Sequence, residues 1–181
     1  MGFTIDGDGE AESGQLGDGA VEQAEATAPE KLEAYKRPES VLVVVFTRCG
    51  EFLLLRRTRP NDFWQSVTGS LKDGESIRAA ATRELREETG LQVSPSALID
   101  LRHSERFTIL PAWRSRYARG VHYNREHWLA LVLPGRRLIE LDRREHLECR
   151  WLPAAQAAFR ATSWTNRNAI VALARSYLLG V

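Results

Sequence analysis

The residues whose types and spacing most clearly indicate a chemical function are three glutamates on one short stretch of the chain, Glu84, Glu87 and Glu88. The stretch reads as a helix that begins near Ser76 and places Glu84 and Glu88 one turn apart on the stripe that should face the core. Like charges at this spacing destabilise a bare helix by roughly 0.2–0.5 kcal/mol, and an inward orientation adds a desolvation cost. The spacing therefore predicts that a cation lies against this face of the helix.

The cation that suits such a cluster is Mg²⁺, with Mn²⁺ as an alternative. Mg²⁺ takes one or two carboxylates, keeps several waters and shares its remaining positions with phosphate oxygens. Arg83 directly precedes the cluster and can hold a neighbouring glutamate with its two-pronged guanidinium. Gly69 and Gly74 bracket a predicted loop in which the backbone can approach a ligand closely, and Gly90 is placed to end the helix.

The arrangement of these residues resembles a known motif, the Nudix box. A solvated, highly charged helix would account for the glutamates alone but not for the whole spacing. The matching positions are Gly69, five residues, Glu75, seven residues, Arg83-Glu84-Leu85, one residue, Glu87-Glu88, one residue and Gly90-Leu91. The resemblance implies an Mg²⁺-dependent Nudix hydrolase with an α/β/α sandwich, in which a mixed β-sheet lies between helices.

Length and charge are consistent with one domain. The 181 residues suffice for a single sizeable core. Residues 1–30 contain eight acidic and no basic side chains, so the remainder has 25 basic and 16 acidic side chains and a formal charge of +9. A basic body is typical of proteins that bind polyphosphates or nucleic acids.

The termini and the cysteines set further limits. Residues 1–34 have few large apolar side chains and are predicted to be a disordered acidic extension, with the domain over 35–181; a later translation start is the alternative. Cys49 and Cys149 are too few for a disulfide framework and lack metal-site spacing, which favours reduced thiols in a cytoplasmic protein. The sequence shows neither a secretory signal nor a run apolar enough to span a membrane.

The rest of the chain predicts strands on both sides of the central helix. The predicted strands are 40–47, 52–57, 91–93, 97–102, 106–110, 128–133 and 148–152. Pro153 starts an alanine-rich helix, and Thr165 is expected to cap a helix over 166–179. Between these elements, 111–122 is an arginine-rich excursion with interleaved aromatic residues, which can bind a base and its phosphates or form an ordinary solvated loop. This order of elements independently favours a mixed sheet between helices.

A further resemblance extends over residues 35–174. The matching segments are Tyr35-Lys36-Arg37-Pro38, FWQSVTGS over 63–70, Arg116-Tyr117 with Gly120-Val121, Glu126 next to Trp128, and SWTNR over 163–167. They are similar to the family of bacterial dihydroneopterin triphosphate diphosphatases of folate biosynthesis. This resemblance implies Mg²⁺-dependent hydrolysis of 7,8-dihydroneopterin 3′-triphosphate to the monophosphate and pyrophosphate, and a small-molecule triphosphate as the binding partner.

The resemblance also implies roles for particular residues. Glu84 and Glu88 would ligate the metal from the helix, and Glu126 would ligate it from the mouth of a strand. Glu87 is the first choice for the group that activates the attacking water, Glu126 is the second, and Arg83 completes the catalytic set. The implied substrate contacts are Lys36, Arg56, Thr68, Phe107, Thr108, Ile109, Leu110 and Ser163. Arg56 and Arg57 end one strand, so one of them is expected to point towards the metal face.

Three other functions stay open at this level. One is a house-cleaning diphosphatase that acts on ordinary or oxidised nucleoside triphosphates. Another is a catalytically silent Nudix domain that senses nucleotides, against which the intact run from Arg83 to Glu88 argues. The third, which the motif does not favour, is a nucleic-acid binder that relies on the basic body. The sequence does not determine the oligomeric state.

Overall fold

The central strand of the structure is β1 (Glu39–Thr47), which is buried along nearly its whole length. The computed structural model describes residues 35–178. In it β1 runs parallel to β6 (Tyr123–Leu133) and antiparallel to β2 (Glu51–Arg57) and β4 (Val67–Ser70). A strand with neighbours at both edges and helices on both faces buries every side chain, which is why its sequence is apolar throughout instead of alternating.

The remaining strands extend the sheet on either side of β1. β3 (Trp64–Gln65) and β7 (His146–Pro153) both pair with β2, and β5 (Ile99–Thr108) pairs with β6. The main path of the sheet is β3-β2-β1-β6-β5, with β4 attached to β1 and β7 attached to β2. The β1–β6 pair is parallel and the other pairs are antiparallel, so the sheet is mixed, as predicted.

Helices cover both faces of the sheet. Helix α1 (Ile77–Thr89) packs on one face, and α2 (Ala154–Arg160) and α3 (Trp164–Leu173) pack on the other. On the first face Val41, Val43 and Val45 of β1 meet Ala80, Ala81 and Leu85 of α1. On the second face Leu42, Val44 and Phe46 meet Ala157, Ala161, Ala169 and Ile170. The α/β/α sandwich predicted from the sequence is confirmed.

Helix α1 has the bounds that its sequence predicts. Ser76 caps its beginning, because its hydroxyl accepts a hydrogen bond from the backbone N–H of Ala79 at 3.2 Å. Gly90 ends the helix with a φ of 72°, and its N–H donates to the carbonyl of Arg86 at 3.0 Å. A left-handed φ cannot continue a right-handed helix, so α1 ends at Thr89, and glycine adopts this φ without the strain that a side chain would cause.

One strand prediction after α1 is wrong, and two others describe parts of a single strand. Residues 91–93 form a loop, because the buried Leu91 and the partly buried Val93 pack against the core of α1 instead of pairing in the sheet. The predicted strands 97–102 and 106–110 are one strand, β5, which follows a short 3₁₀ turn and changes register with β6 between Asp100 and Ser104. An apolar run alone does not distinguish a buried loop from a buried strand.

The C-terminal helix begins earlier than predicted. Ser163 caps α3 by accepting a hydrogen bond from the N–H of Asn166 at 3.2 Å, and Thr165 lies buried inside the helix. The helix passes into a π-helical turn at Ala174–Leu178. The predicted end at residue 179 and the predicted extension over 1–34 lie outside the described residues. Among residues 35–178, no helix has the length and apolar character that a membrane crossing requires.

Asn166 joins α3 to the segment between β3 and β4, and its replacement should weaken the fold. Its Oδ1 accepts a hydrogen bond from the buried N–H of Ser66 at 2.6 Å, and its Nδ2 donates to the Ser163 hydroxyl at 2.8 Å. Asn166→Ala should lower the free energy of unfolding in urea by about 1–3 kcal/mol, because the Ser66 N–H loses its partner. Asn168→Ala, at an exposed position of the same helix, is the matched control. An equal effect of the two substitutions would contradict the assignment.

Candidate active site

A cavity of about 1090 Å³ collects the predicted substrate residues. Its lining comes from α1, β4, β5, β6 and the start of α3, together with the segment before β1. It includes Lys36, Thr68, Phe107, Thr108, Ile109, Leu110 and Ser163, which are all but one of the residues expected to contact substrate. The exception is Arg56.

Arg56 points away from this cavity, and the next residue takes its place. The guanidinium of Arg56 pairs with Glu148 at 3.2 Å and with Asp62 at 3.5 Å. Arg57 lines the cavity and lies over the ring of Trp113, with its guanidinium carbon 5.9 Å from the ring centroid. Successive strand residues point to opposite faces, so the expectation of one inward and one outward arginine holds, but the inward one is Arg57.

Glycine at position 69 makes room for the Glu84 carboxylate. Gly69 lies in strand β4, not in a loop as predicted, and a Cβ added there would lie 1.8 Å from the carboxyl carbon of Glu84. The group that approaches this backbone closely is therefore a side chain of the protein. Any larger residue at this position would displace the Glu84 carboxylate from the cavity wall.

Arg83 holds the acidic residues around the cavity in place. Its Nε and one terminal nitrogen form the two-pronged pair with Glu75, each at 2.8 Å. The other terminal nitrogen donates to Glu84 at 2.6 Å and to Glu87 at 3.1 Å. A further bond, 3.1 Å long, reaches the carbonyl of Ser70 in β4. One guanidinium thus fixes the positions of three carboxylates relative to β4.

The two helix glutamates on the inner stripe are hard to ionise without a nearby cation. Burial raises the pKa of Glu84 to about 7, against the opposing effect of Arg83. Burial also raises the pKa of Glu88, which is 3% exposed, and His146 opposes this shift. A divalent cation would favour the charged form of both groups.

Glu88 forms a compact group with Glu145 and His146, whose side chains carry potential metal-ligand atoms. Each of the three offers one ligand atom, and these atoms lie within 4.8 Å of one another. Nε2 of His146 lies 3.4 Å from Oε2 of Glu88, and neither atom has a hydrogen-bond partner among residues 35–178. A buried carboxylate oxygen without a partner is energetically costly, and a bound cation would compensate this cost. These residues could therefore hold a divalent metal ion.

Glu145 is a site residue that the sequence reasoning missed. It follows Asp142 in a charged turn and directly precedes β7. The pairing of β7 with β2, and backbone hydrogen bonds from Glu140 and Asp142 to the end of α1, bring it to the C-terminal part of that helix. It also lines the cavity. The sequence feature that could have indicated it is the Glu145-His146 pair just before a predicted strand. This pair is far from the glutamates of α1 in the sequence, so no helical or motif spacing links them.

Glu126 lies outside the group formed by Glu88, Glu145 and His146, but it lines the same cavity as Glu84, and its role as a metal ligand stays a prediction. It lies inside β6 instead of at its mouth, and its register partner in β1 is Ser40. Trp128, two residues on, packs in the core that faces α2 and α3. Glu126 therefore projects from the face of the sheet opposite α1.

Lys36 supplies positive charge at the acidic end of the cavity. Its backbone N–H donates to the carbonyl of Arg116 at 2.8 Å, which fixes the segment before β1. Burial and the charge of Arg116 lower the pKa of the Lys36 ammonium, and the charges of Glu145 and Glu84 oppose this shift. The site therefore has cationic groups opposite its carboxylates, as a polyphosphate site requires.

The sequence also matches a known protein family. The NUDIX domain family matches residues 36–173 of this chain, which include the helix and the strands that line the cavity. The chain therefore belongs to the NUDIX domain family.

Individual relatives are similar over nearly the whole matched region. The dihydroneopterin triphosphate diphosphatase of Escherichia coli strain K12 is 44% identical over 143 residues, which cover 77% of this chain and 94% of that protein. The diphosphatase of the same name from Haemophilus influenzae is 37% identical over 139 residues, covering 75% and 87%. The solved structure of the E. coli dihydroneopterin triphosphate pyrophosphohydrolase matches with a TM-score of 0.73 and 41% identity, over 82% of this chain and 100% of that one.

Substitution of Gly69 should impair the site without unfolding the protein. The Cβ of Gly69→Ala would meet the far end of the flexible Glu84 side chain, which can move aside. We expect more than a tenfold loss of hydrolytic turnover, about 1.4 kcal/mol of barrier, with little change in melting temperature. Gly135→Ala, where an added Cβ meets nothing within 4 Å, is the matched control. Full activity of Gly69→Ala would show that the position of the Glu84 carboxylate is unimportant.

The ion pair between Glu75 and Arg83 should make the free energy of unfolding depend on pH in the acidic range. The hydrogen bonds from Arg83 lower the pKa of Glu75 from 4.5 to about 2. A lowered pKa in the folded state stabilises the protein above the unfolded pKa, and this contribution is lost as pH falls through the folded pKa. The stability difference between wild type and Glu75→Gln should thus be constant near pH 7 and shrink between about pH 4.5 and about pH 2. A difference that does not change with pH would refute the pairing.

Proposed function

We propose that this protein catalyses the Mg²⁺-dependent hydrolysis of 7,8-dihydroneopterin 3′-triphosphate to dihydroneopterin monophosphate and pyrophosphate, a reaction of folate biosynthesis. The main support is the 44% identity to the E. coli diphosphatase, which extends over nearly all of that enzyme. The cavity supports it independently, since it combines an acidic cluster, cationic side chains and a more apolar end within one space of about 1090 Å³.

The acidic end of the cavity is the proposed phosphate site. Glu84, Glu88 and Glu145 would hold Mg²⁺, with His146 behind them. The bound ion supplies charge neutralisation for the phosphoryl oxygens and for the departing pyrophosphate. Lys36 and Arg57 add fixed positive charge and orient the triphosphate chain, which otherwise repels a nucleophile.

Glu87 is the proposed residue that orients and deprotonates the attacking water. It lines the cavity, and Arg83 donates to its carboxylate at 3.1 Å. It is also the most exposed of the helix glutamates, with a side chain that is 45% accessible, so it can reach a water outside the metal cluster. Glu126, the other candidate base, lies on the opposite face of the sheet and is not assigned this role.

The ring of the substrate would occupy the rest of the cavity. Phe63 and Trp113 pack edge to face with centroids 5.5 Å apart, and both line the cavity beside Arg57. Phe107 and Ile109 contribute apolar surface from β5 and the segment after it. These walls suit a flat heteroaromatic ring. Cys49 and Cys149 are free thiols, in keeping with the proposed cytoplasmic location.

The second candidate is a general nucleoside triphosphate diphosphatase. The acidic cluster, Lys36 and Arg57 would contact only the triphosphate, which ordinary nucleotides share with the pterin substrate. The separating experiment is a comparison of kcat/KM for dihydroneopterin triphosphate, dGTP and dATP at saturating Mg²⁺, with the products identified. A clear preference for the pterin compound, with pyrophosphate as product, is the expected result. Equal or better use of dNTPs would assign the protein to the general class.

The third metal-binding carboxylate can be tested by a matched pair of substitutions. Glu145→Gln should lower turnover more than tenfold, about 1.4 kcal/mol of barrier, and raise the Mg²⁺ concentration needed for half-maximal activity. Glu148→Gln is the control, because Glu148 pairs with Arg56 and Arg150 outside the cavity. Glu88→Gln should behave like Glu145→Gln. Wild-type Mg²⁺ dependence in Glu145→Gln would exclude this residue from the metal site.

A further inference from the structure

His146 is a buried histidine to which the proposed reaction gives no role of its own. It is the first residue of β7, and its side chain is fully buried. Neither nitrogen of its ring has a hydrogen-bond partner among residues 35–178. Unpaired polar groups in a protein interior destabilise the fold and are rare, so a buried imidazole of this kind points to a contact that the protein uses.

The backbone holds His146 in place without help from its ring. The N–H of His146 donates to the carbonyl of Asp142 at 2.9 Å, and its register partner in β2 is Arg57. The N–H of Asp142 donates in turn to the carbonyl of Glu88 at 3.4 Å. One turn of the chain thus fixes His146 relative to the end of α1, so that its ring lies against the Glu88 side chain.

Glu88 is the carboxylate of α1 that Arg83 does not hold. Within the described part of the chain, Arg83 donates to the other two carboxylates of this helix, Glu84 and Glu87. Oε2 of Glu88 is buried and has no hydrogen-bond partner there, and it lies 3.4 Å from Nε2 of His146. A small rotation of the carboxylate closes this separation to an ordinary hydrogen bond of about 2.9 Å. His146 is therefore placed to orient Glu88 as Arg83 orients its neighbours.

We propose that His146 is a positioning residue for the metal site and acts through Glu88. Its Nε2–H donates to Oε2 of Glu88 and holds this carboxylate in the orientation in which it binds the ion, as donors behind a metal ligand do in other proteins. The ring does not line the cavity, whereas the adjacent Glu145 does, so His146 is not assigned as a ligand. The inference rests on the metal site of the proposed function.

The test measures Mn²⁺ binding without substrate, from the EPR signal of the free ion. His146→Leu removes the donor and should raise the Mn²⁺ dissociation constant by about 10–100-fold. His146→Gln should bind Mn²⁺ nearly as wild type does, because its amide nitrogen can donate from almost the same position. Wild-type affinity in His146→Leu, or an equal loss of affinity in both variants, overturns the proposal.

His127→Leu is the matched control for the loss of a buried histidine–glutamate contact. Nε2 of His127 lies 2.8 Å from Oε1 of Glu39, and neither residue lines the cavity. This variant should keep the Mn²⁺ affinity of wild type, and a loss equal to that of His146→Leu would show a general effect on the fold and overturn the proposal.

A shorter side chain at position 146 keeps the test decisive if His146→Leu does not fold. His146→Asn is polar like His146→Gln, but its amide is one methylene too short to reach Glu88. It should therefore bind Mn²⁺ more weakly than His146→Gln. Equal affinities of the Asn and Gln variants overturn the proposal.

A double-mutant cycle tests whether His146 acts through Glu88. Addition of His146→Leu to Glu88→Gln should lower the Mn²⁺ affinity little further, because the carboxylate that His146 positions is already gone. Additive losses overturn the proposal. Electron spin-echo spectra of Mn²⁺ bound to wild type should lack the coupling of a directly bound nitrogen. Such a coupling, if it disappears in His146→Gln, would make His146 a ligand and overturn the positioning role.

The outcomes distinguish this inference from the proposed function. A loss of Mn²⁺ affinity in His146→Leu supports the positioning role even if dihydroneopterin triphosphate is not hydrolysed, in which case only the substrate assignment falls. If Glu88→Gln weakens Mn²⁺ binding and His146→Leu does not, the positioning role falls and the proposed function stands. If Glu88→Gln binds Mn²⁺ as wild type does, Glu88 is not a ligand, and the proposed metal site falls together with this inference.

Discussion

The contact between Arg83 and the glutamates is the interaction on which the site depends. Glu84 and Glu88 lie on the face of α1 that packs towards the sheet, where carboxylates would normally be excluded. Arg83 binds Glu75, Glu84, Glu87 and the Ser70 carbonyl at once, and thereby ties α1 to β4. Packing of Ala80, Ala81 and Leu85 against the sheet holds the rest of the helix. The fold thus keeps like charges together, and this arrangement is stable when a cation lies among them.

The cavity combines two kinds of chemistry because it reaches both faces of one sheet. The acidic residues approach it from α1 and from the turn before β7, whereas the buried Glu126 approaches it from β6. Strand β4 pairs with β1 and has a glycine at the point where Glu84 fits. A ligand with a triphosphate at one end and a hydrogen-bonding ring at the other matches this layout.

Sequence reasoning predicted those features that depend on local spacing. The bounds of α1, the buried central strand and the inward glutamates follow from helical periodicity, capping residues and a continuous apolar run. The misplaced residues depend on non-local pairing. Glu145 reaches α1 through the β2–β7 ladder and through backbone hydrogen bonds between residues 140–142 and the end of α1, and the side of the sheet from which Glu126 projects depends on its register with Ser40. Arg56 was predicted to contact the substrate, but Arg57 lines the cavity, because neighbouring residues of a strand point to opposite faces of the sheet.

The most direct test of the central claim is to locate the metal ion in crystals grown with Mn²⁺, by its anomalous scattering. We expect a peak coordinated by carboxylate oxygens of Glu84, Glu88 and Glu145. Carboxylates of α1 turned into solvent, with no ion among them, would contradict the proposed metal site.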